Sequence, residues 1–195
     1  ASMPRCIPLI LPLLRRLCLA TGLVTCGAPH TSSPAAVITS VATESAPRAG
    51  WSDVPGPPGT GCAGDSTFHL VVHRGAPDRV LLFLNGGGAC WRAAECDPRG
   101  RPTYTTRADS ANDPRAQGGL FSLDNPLNPL RGYTMVYVPY CTGDVHLGTR
   151  IVTYQTRASA STPSRTFRIR HEGAANVEFA LAWIAANTPE PVSIV

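Results

Sequence analysis

Lysine does not occur among the 195 residues; all 17 basic side chains are arginine. Charge of either sign is scarce, at 15% of residues, where soluble domains commonly reach about 25%. The net charge of +4 is scattered along the chain rather than gathered into a stripe, which argues against nucleic-acid binding. An uninterrupted apolar run of about 20 residues is also missing, so no stretch reads as a bilayer-spanning helix. Apolar material itself is not lacking. Hydrophobic residues make up 43%, which excludes disorder throughout, and the length allows one globular domain rather than two.

Glycine (18) and proline (19) are in surplus, predicting many turns and at least one stretch outside the fold. Seven cysteines in so short a chain point to export or to a metal site. Near the N-terminus, Arg5, Arg15 and Arg16 precede a short apolar run at 17–25, and residues 1–26 read as an export signal. The run ends Leu23-Val24-Thr25-Cys26-Gly27, a lipobox-like ending that would place a lipid anchor on Cys26. Thr25 is unusual before such a cysteine, and an ordinary cleaved signal is the alternative. Residues 27–60, rich in Pro, Ser, Thr and Ala, read as a linker. The folded part is expected at 61–195.

Within it, apolar and polar residues alternate over 67–74, with Phe68, Leu70 and Val72 on one face, which predicts a strand. A turn at 75–78 leads into RVLLFL at 79–84, a continuous run suited to a strand buried on both faces. Residues 97–131 carry many Pro, Asn, Asp, Arg and Gly and read as a long loop region with at most short helices. YTMVYV at 133–138 is a third strand, followed by a polar stretch to about residue 170. Over 173–187 the period becomes helical, with Val177, Leu181 and Ile184 sharing a face and Phe179 and Trp183 spaced i,i+4 beside it. Pro189 and Pro191 break that helix, and 192–195 begins a further strand. The succession predicts the opening part of an α/β sheet, truncated within a buried strand.

The sharpest local feature is Gly86-Gly87-Gly88, directly after the 79–84 strand. Glycine permits positive φ and close approach of a ligand, so this loop could donate N–H groups to an oxyanion, cradle a phosphate, or simply turn. A phosphate loop needs a Lys and a Ser or Thr after the glycines; Cys90 and Trp91 stand nearby instead. Cys90 and Cys96 read most simply as a disulfide closing a small loop. With Cys62 and Cys141 they leave three pairings open. A zinc site from Cys90, Cys96, Cys141 and His146 is the rival, though its spacing lacks a close C-x-x-C pair. Asp144 and His146 follow the third strand at its carboxyl end, where α/β sheets bind ligands. They are candidate contacts to a polar substrate or members of a solvated turn. His171 could cap or orient something or be structural, and His69 and His73 face solvent or a neighbouring strand.

Four segments carry a family resemblance: Gly61-Cys62-Ala63-Gly64-Asp65-Ser66, LLFLNGGGACW at 81–91, NPLNPLRGYTMVYVPYCTGDVHLG at 125–148 and TFRIRHEGAANVEFALAW at 166–183. Together and in this order they resemble the pectin acetylesterase and Notum-like carboxylesterases, especially bacterial members. The resemblance implies an α/β-hydrolase-like fold, here incomplete, and serine-dependent hydrolysis of a carboxylic ester, such as deacetylation of a carbohydrate or a similar small acyl ester. It implies oxyanion-hole N–H donors at Gly87 and Gly88, no metal and no organic cofactor. The nucleophile elbow of such enzymes follows the strand that begins here at Pro191, so the Ser, Asp and His of a triad are expected beyond Val195. Ser193, inside that strand without glycines around it, is no substitute. Asn85 stands where plant and animal members often carry Glu, and Ala89 where they carry a large aromatic, which argues against carrying over pectin or lipidated-protein substrates. A 195-residue product alone is expected to be inactive. The expected location is the bacterial cell envelope or the medium, with membrane attachment only through a lipid on Cys26. A non-catalytic exported lipoprotein or binding module is the alternative.

Overall fold

The computed structural model of the chain describes residues 50–188 and the backbone of Ser193–Ile194. The export signal, Cys26 and most of the linker lie outside the described residues. The architecture is α/β, as expected. Five strands form one sheet in the order β1 (Trp51–Pro55), β2 (His69–His73), β4 (Tyr133–Val138), β3 (Ala76–Leu84), β7 (Ser193–Ile194). The β1–β2 and β2–β4 pairs are antiparallel, whereas β4–β3 and β3–β7 are parallel. Two strands the composition hid are β5 (Arg150–Gln155) and β6 (Thr166–His171), a separate antiparallel hairpin within the polar stretch. Among the described residues the α-helices are α1 (Ala93–Cys96) and α2 (Gly173–Asn187).

The sheet is covered on both faces. On one, Leu70 and Val72 of β2, Val80 of β3 and Val136 and Val138 of β4 pack against Ala180, Trp183 and Ile184 of α2. On the other, Val71, Leu81, Met135 and Tyr137 meet Trp51 and Phe121. Phe121 belongs to the long connection at 97–131, which holds three short 3₁₀ turns at Ser110–Asn112, Pro114–Ala116 and Gly119–Phe121. That connection is a lid over a sheet face: Phe121 sets its edge against Phe83 and Tyr137, which stack on each other, with ring centroids 5.0–5.3 Å apart. Burial on both faces explains why Leu70, Val71 and Val72 are all buried, although 67–74 reads as an alternating strand.

Three details differ from expectation. Residues 51–55, assigned by composition to the linker, form the edge strand β1, anchored by buried Trp51. The turn at 75–78 is partly absorbed into β3, with a register irregularity between Ala76 and Val80. On α2 the buried face is Asn176, Ala180, Trp183 and Ile184, while Leu181 is 47% exposed. The helix is rotated toward Asn176, whose amide group bonds both the N–H and the C=O of Gly61 at 3.1 and 3.0 Å. A buried amide without partners costs several kcal/mol, so this polar pair outranks a fully apolar stripe in setting the helix face.

Candidate active site

β3 and β4 run parallel side by side and end together, and their following loops form the site. After Leu84 the chain is pinned by the Asn85 N–H, which donates to Val138 C=O at 3.1 Å. It is pinned again by the Cys90 N–H, which donates to Gly143 C=O at 2.9 Å. Between these two points, the N–H groups of Gly86, Gly87, Gly88 and Ala89 make no hydrogen bond among the described residues. Gly87 adopts φ +151° and Gly88 φ +81°. A Cβ on Gly88 would lie 2.2 Å from the Thr103 carbonyl oxygen, and one on Gly87 would lie 3.2 Å from the Tyr140 ring. The run is therefore a left-handed turn that only glycine fits at its last position, with unspent donors.

What holds the turn comes from both flanking loops. The Asn85 side-chain amide donates to Asn112 Oδ1 at 2.5 Å, Asn112 Nδ2 donates to Thr105 Oγ1 at 3.0 Å, and the Thr105 hydroxyl donates to Tyr140 C=O at 3.0 Å. Thr103 Oγ1 donates to Ala89 C=O at 3.1 Å. The 97–131 connection is thus laced to the glycine turn, a role with no local sequence signal beyond the polarity of the loop. The Cys90–Cys96 disulfide closes the loop behind the turn as expected, and Cys62–Cys141 is the other pair among the described residues. Cys141 is thereby committed, and the residues of the zinc alternative do not come together: it is His171, not His146, that stands beside Cys90.

Asp144 and His146 are near the turn but engaged. The Asp144 carboxylate accepts from Thr142 Oγ1 at 2.6 Å, His146 N–H at 3.0 Å and Gly173 N–H at 2.7 Å. The last of these is at the start of α2, where a carboxylate also meets the positive end of the helix dipole. Buried His146 donates Nε2–H to Asn85 C=O at 2.8 Å and lies on the Tyr140 ring at 4.9 Å. Val145 and His146 both have positive φ, +52° and +62°, uncommon for side-chain-bearing residues and held here by that network. The Tyr140 hydroxyl accepts from Val145 N–H at 2.9 Å.

The walls are neutral. Burial raises the Tyr140 phenol above its ordinary value, with Asp144 adding to the effect. Tyr104, beneath Gly143, is pushed up to about 12 by burial and by the neighbouring Tyr154 and Tyr140. His171 is buried; its Nδ1–H donates to Thr142 C=O at 2.8 Å, and its Nε2 accepts from the Tyr154 hydroxyl at 2.9 Å. His69 approaches Asp53 of β1 at 4.0 Å and His73 bonds Gly50 C=O at 2.7 Å, so both face the neighbouring strand.

No family model matches the chain. The sequence is similar to the palmitoleoyl-protein carboxylesterase NOTUM of Schmidtea mediterranea, at 33% identity over 73 residues. That similarity spans 36% of this chain and 14% of the relative. Among solved structures, two crystal forms of the Wnt deacylase Notum from Drosophila are similar. They have TM-scores of 0.48 and 0.46 at 18% and 16% identity, cover 69% and 73% of this chain, and are themselves covered to 37% and 39%. The likeness to Notum-type carboxylesterases read in the motifs is thus present in an aligned relative, at low identity and over a small part of that relative's length.

Proposed function

We propose that this chain carries the oxyanion-binding part of an exported, serine-dependent carboxylic-ester hydrolase with an α/β-hydrolase-like fold. One observation carries the reading. Unbonded amides, held in a left-handed glycine turn at the carboxyl end of two parallel strands, have the form required to receive negative charge. As an ester carbonyl is attacked, its oxygen gains that charge, and the Gly87 and Gly88 N–H groups donate to it. Each such donor is worth roughly a hundred- to thousandfold in rate. Asp144 and His146 border the substrate and act mainly by holding the turn: His146 fixes the Asn85 carbonyl, and Asp144 ties that loop to the start of α2. Trp91, Val145 and Leu147, exposed on the flanking segments, offer apolar surface to an acyl group on a small ester or acetylated carbohydrate.

In this reading the attacking serine, its base histidine and the orienting aspartate come from chain following Val195, and no metal or cofactor takes part. The protein is exported, with Cys26 either lipidated or lost with a cleaved signal; the two disulfides suit an oxidising compartment. A non-catalytic binding module is the second reading. Among the described residues His73, His146 and His171 bond carbonyls or a tyrosine hydroxyl and His69 stands 4.0 Å from a carboxylate, so none is paired with a serine. Hydrolysis of p-nitrophenyl acetate separates the two. The gene product continued past Val195 should turn over the ester while the 195-residue chain does not. Absence of turnover in the continued product, or a stop codon directly after Val195, favours the binding module.

A further inference from the structure

Behind the glycine turn, Cys90, Cys96 and His171 bring two Sγ atoms and an imidazole nitrogen within 4.8 Å of one another, all three residues buried. The ester chemistry above uses none of these atoms. We propose that this cluster is a redox-gated metal site: closed as the Cys90–Cys96 disulfide, it binds Zn²⁺ once that bond is reduced.

The histidine is already set as a ligand. Its Nδ1–H donates to Thr142 C=O, which leaves Nε2 as the unprotonated nitrogen, its lone pair now accepting from the Tyr154 hydroxyl. A backbone carbonyl in that position is the usual orienting partner of a metal-bound imidazole. Cys90 Sγ lies 4.0 Å from Nε2. Tetrahedral zinc with Zn–S about 2.3 Å and Zn–N about 2.0–2.1 Å requires roughly 3.6 Å between those atoms, so a small shift suffices. The Cα atoms of Cys90 and Cys96 are 5.1 Å apart, and the two sulfurs stay neighbours after the bond opens. Zinc on Nε2 displaces the Tyr154 hydroxyl, 2.9 Å away, from that lone pair, and the hydroxyl or a water then completes the tetrahedron. Two thiolates and Zn²⁺ sum to zero charge, the condition under which so buried a site is tolerable. Cys62 and Cys141 belong to no such cluster among the described residues.

The electrons come from a dithiol. One of its sulfurs attacks Cys90 Sγ and releases Cys96; its second sulfur closes the reagent's own disulfide and frees Cys90. Two electrons and two protons pass to the cysteines, and Zn²⁺ then displaces two thiol protons to solvent. A disulfide reagent reverses the exchange: it takes the two electrons and becomes a dithiol, Cys90–Cys96 closes again, and the metal leaves with no thiolates to hold it. Because the Cys90 N–H also pins the glycine turn to Gly143, the two states of the cluster act directly on the loop in front of it.

The test uses the 195-residue protein reduced with dithiothreitol, desalted without oxygen and titrated with Zn²⁺. Iodoacetamide labelling then follows each cysteine by mass spectrometry. Zn²⁺ should slow alkylation of Cys90 and Cys96 at least tenfold and leave Cys62, Cys141, Cys6, Cys18 and Cys26 unchanged. H171Q should raise the Zn²⁺ concentration needed for half-protection ten- to a hundredfold, and the unreduced protein should bind none at this site. Should reduction unfold the chain, recovery of its circular dichroism on adding Zn²⁺ supports the site, and failure to recover overturns it. Protection of no cysteine, of Cys62 and Cys141 equally, of the N-terminal cysteines alone, or undiminished in H171Q also overturns it.

Discussion

Alanine placed in turn at Gly86, Gly87 and Gly88 separates a shaped turn from a merely small one. Gly86 has open space where a methyl would be added and no positive φ. Gly86→Ala should therefore stay within about 0.5 kcal/mol of the parent, because a compatible methyl mainly restricts the unfolded chain. Gly87, at φ +151° and with the Tyr140 ring 3.2 Å from the new carbon, should lose about 1–2 kcal/mol through backbone strain. Gly88 combines φ +81° with a carbonyl oxygen only 2.2 Å away. The left-handed conformation costs about 1–2 kcal/mol, and displacing the Thr103 backbone adds about 1–3 kcal/mol, for a total of about 3 kcal/mol. Urea titration gives the three values directly. By thermal melting the Gly88 variant should fall by about 10 °C, at roughly 3 °C per kcal/mol for a domain of this size. A flat series, with Gly88→Ala as mild as Gly86→Ala, would refute the turn geometry and with it the aimed amides.

Three further outcomes follow from the same contacts. Tyr104 titrates near 12 when folded and near 10 when unfolded, so its contribution is intact below pH 10 and lost as pH rises toward 12. Wild type should lose about 1.4 kcal/mol between pH 9 and 11 relative to Tyr104→Phe, and parallel urea midpoints in that window would count against its burial. Arg115 bridges Asp113 at 2.8 Å and Asp53 of β1 at 3.0 Å; although burial opposes it, hydrogen bonding from Arg115 holds the Asp113 carboxyl below its usual value. The advantage of wild type over Arg115→Ala, about 1 kcal/mol, should be present above pH 4 and vanish as pH falls through the lowered Asp113 value; a pH-independent difference would point to packing alone. The Cys62–Cys141 link spans 79 residues and Cys90–Cys96 spans 6, so chain entropy predicts losses of about 4.5 and 2.2 kcal/mol on double serine replacement. A larger loss from the short loop would contradict that ordering.

Much of the parallel core was legible because strands inside a sheet announce themselves as continuous apolar runs: RVLLFL and YTMVYV became the adjacent parallel strands β3 and β4, although in β3 only Val80 and Leu81 are buried and Leu84, at its carboxyl end, is exposed. The glycine turn was legible for a related reason, since three glycines directly after such a strand leave few roles open. The β5–β6 hairpin was not read, although IVTYQ and TFRIRH do alternate, because arginine and threonine on its outer face masked the inner Ile169, Phe167 and Tyr154. β1 was hidden by its neighbours: a five-residue strand followed by GPPGTG carries a linker's composition. The face of α2 was misjudged by hydrophobicity, which ranks Leu181 above Asn176, whereas the fold buries Asn176 to satisfy Gly61 115 residues away. No local pattern encodes that partner. The same holds for Asp144 and His146. Their position at a strand's carboxyl end was readable, but their ties to Gly173 and Asn85 exist only in three dimensions.

The central claim, that the Gly87–Gly88 turn serves a serine nucleophile carried beyond Val195, is tested most directly by a fluorophosphonate probe followed by peptide mapping. The account predicts a single labelled serine C-terminal to residue 195 in the continued gene product and no label on the 195-residue chain. Stoichiometric labelling of a serine within residues 1–195 would contradict it.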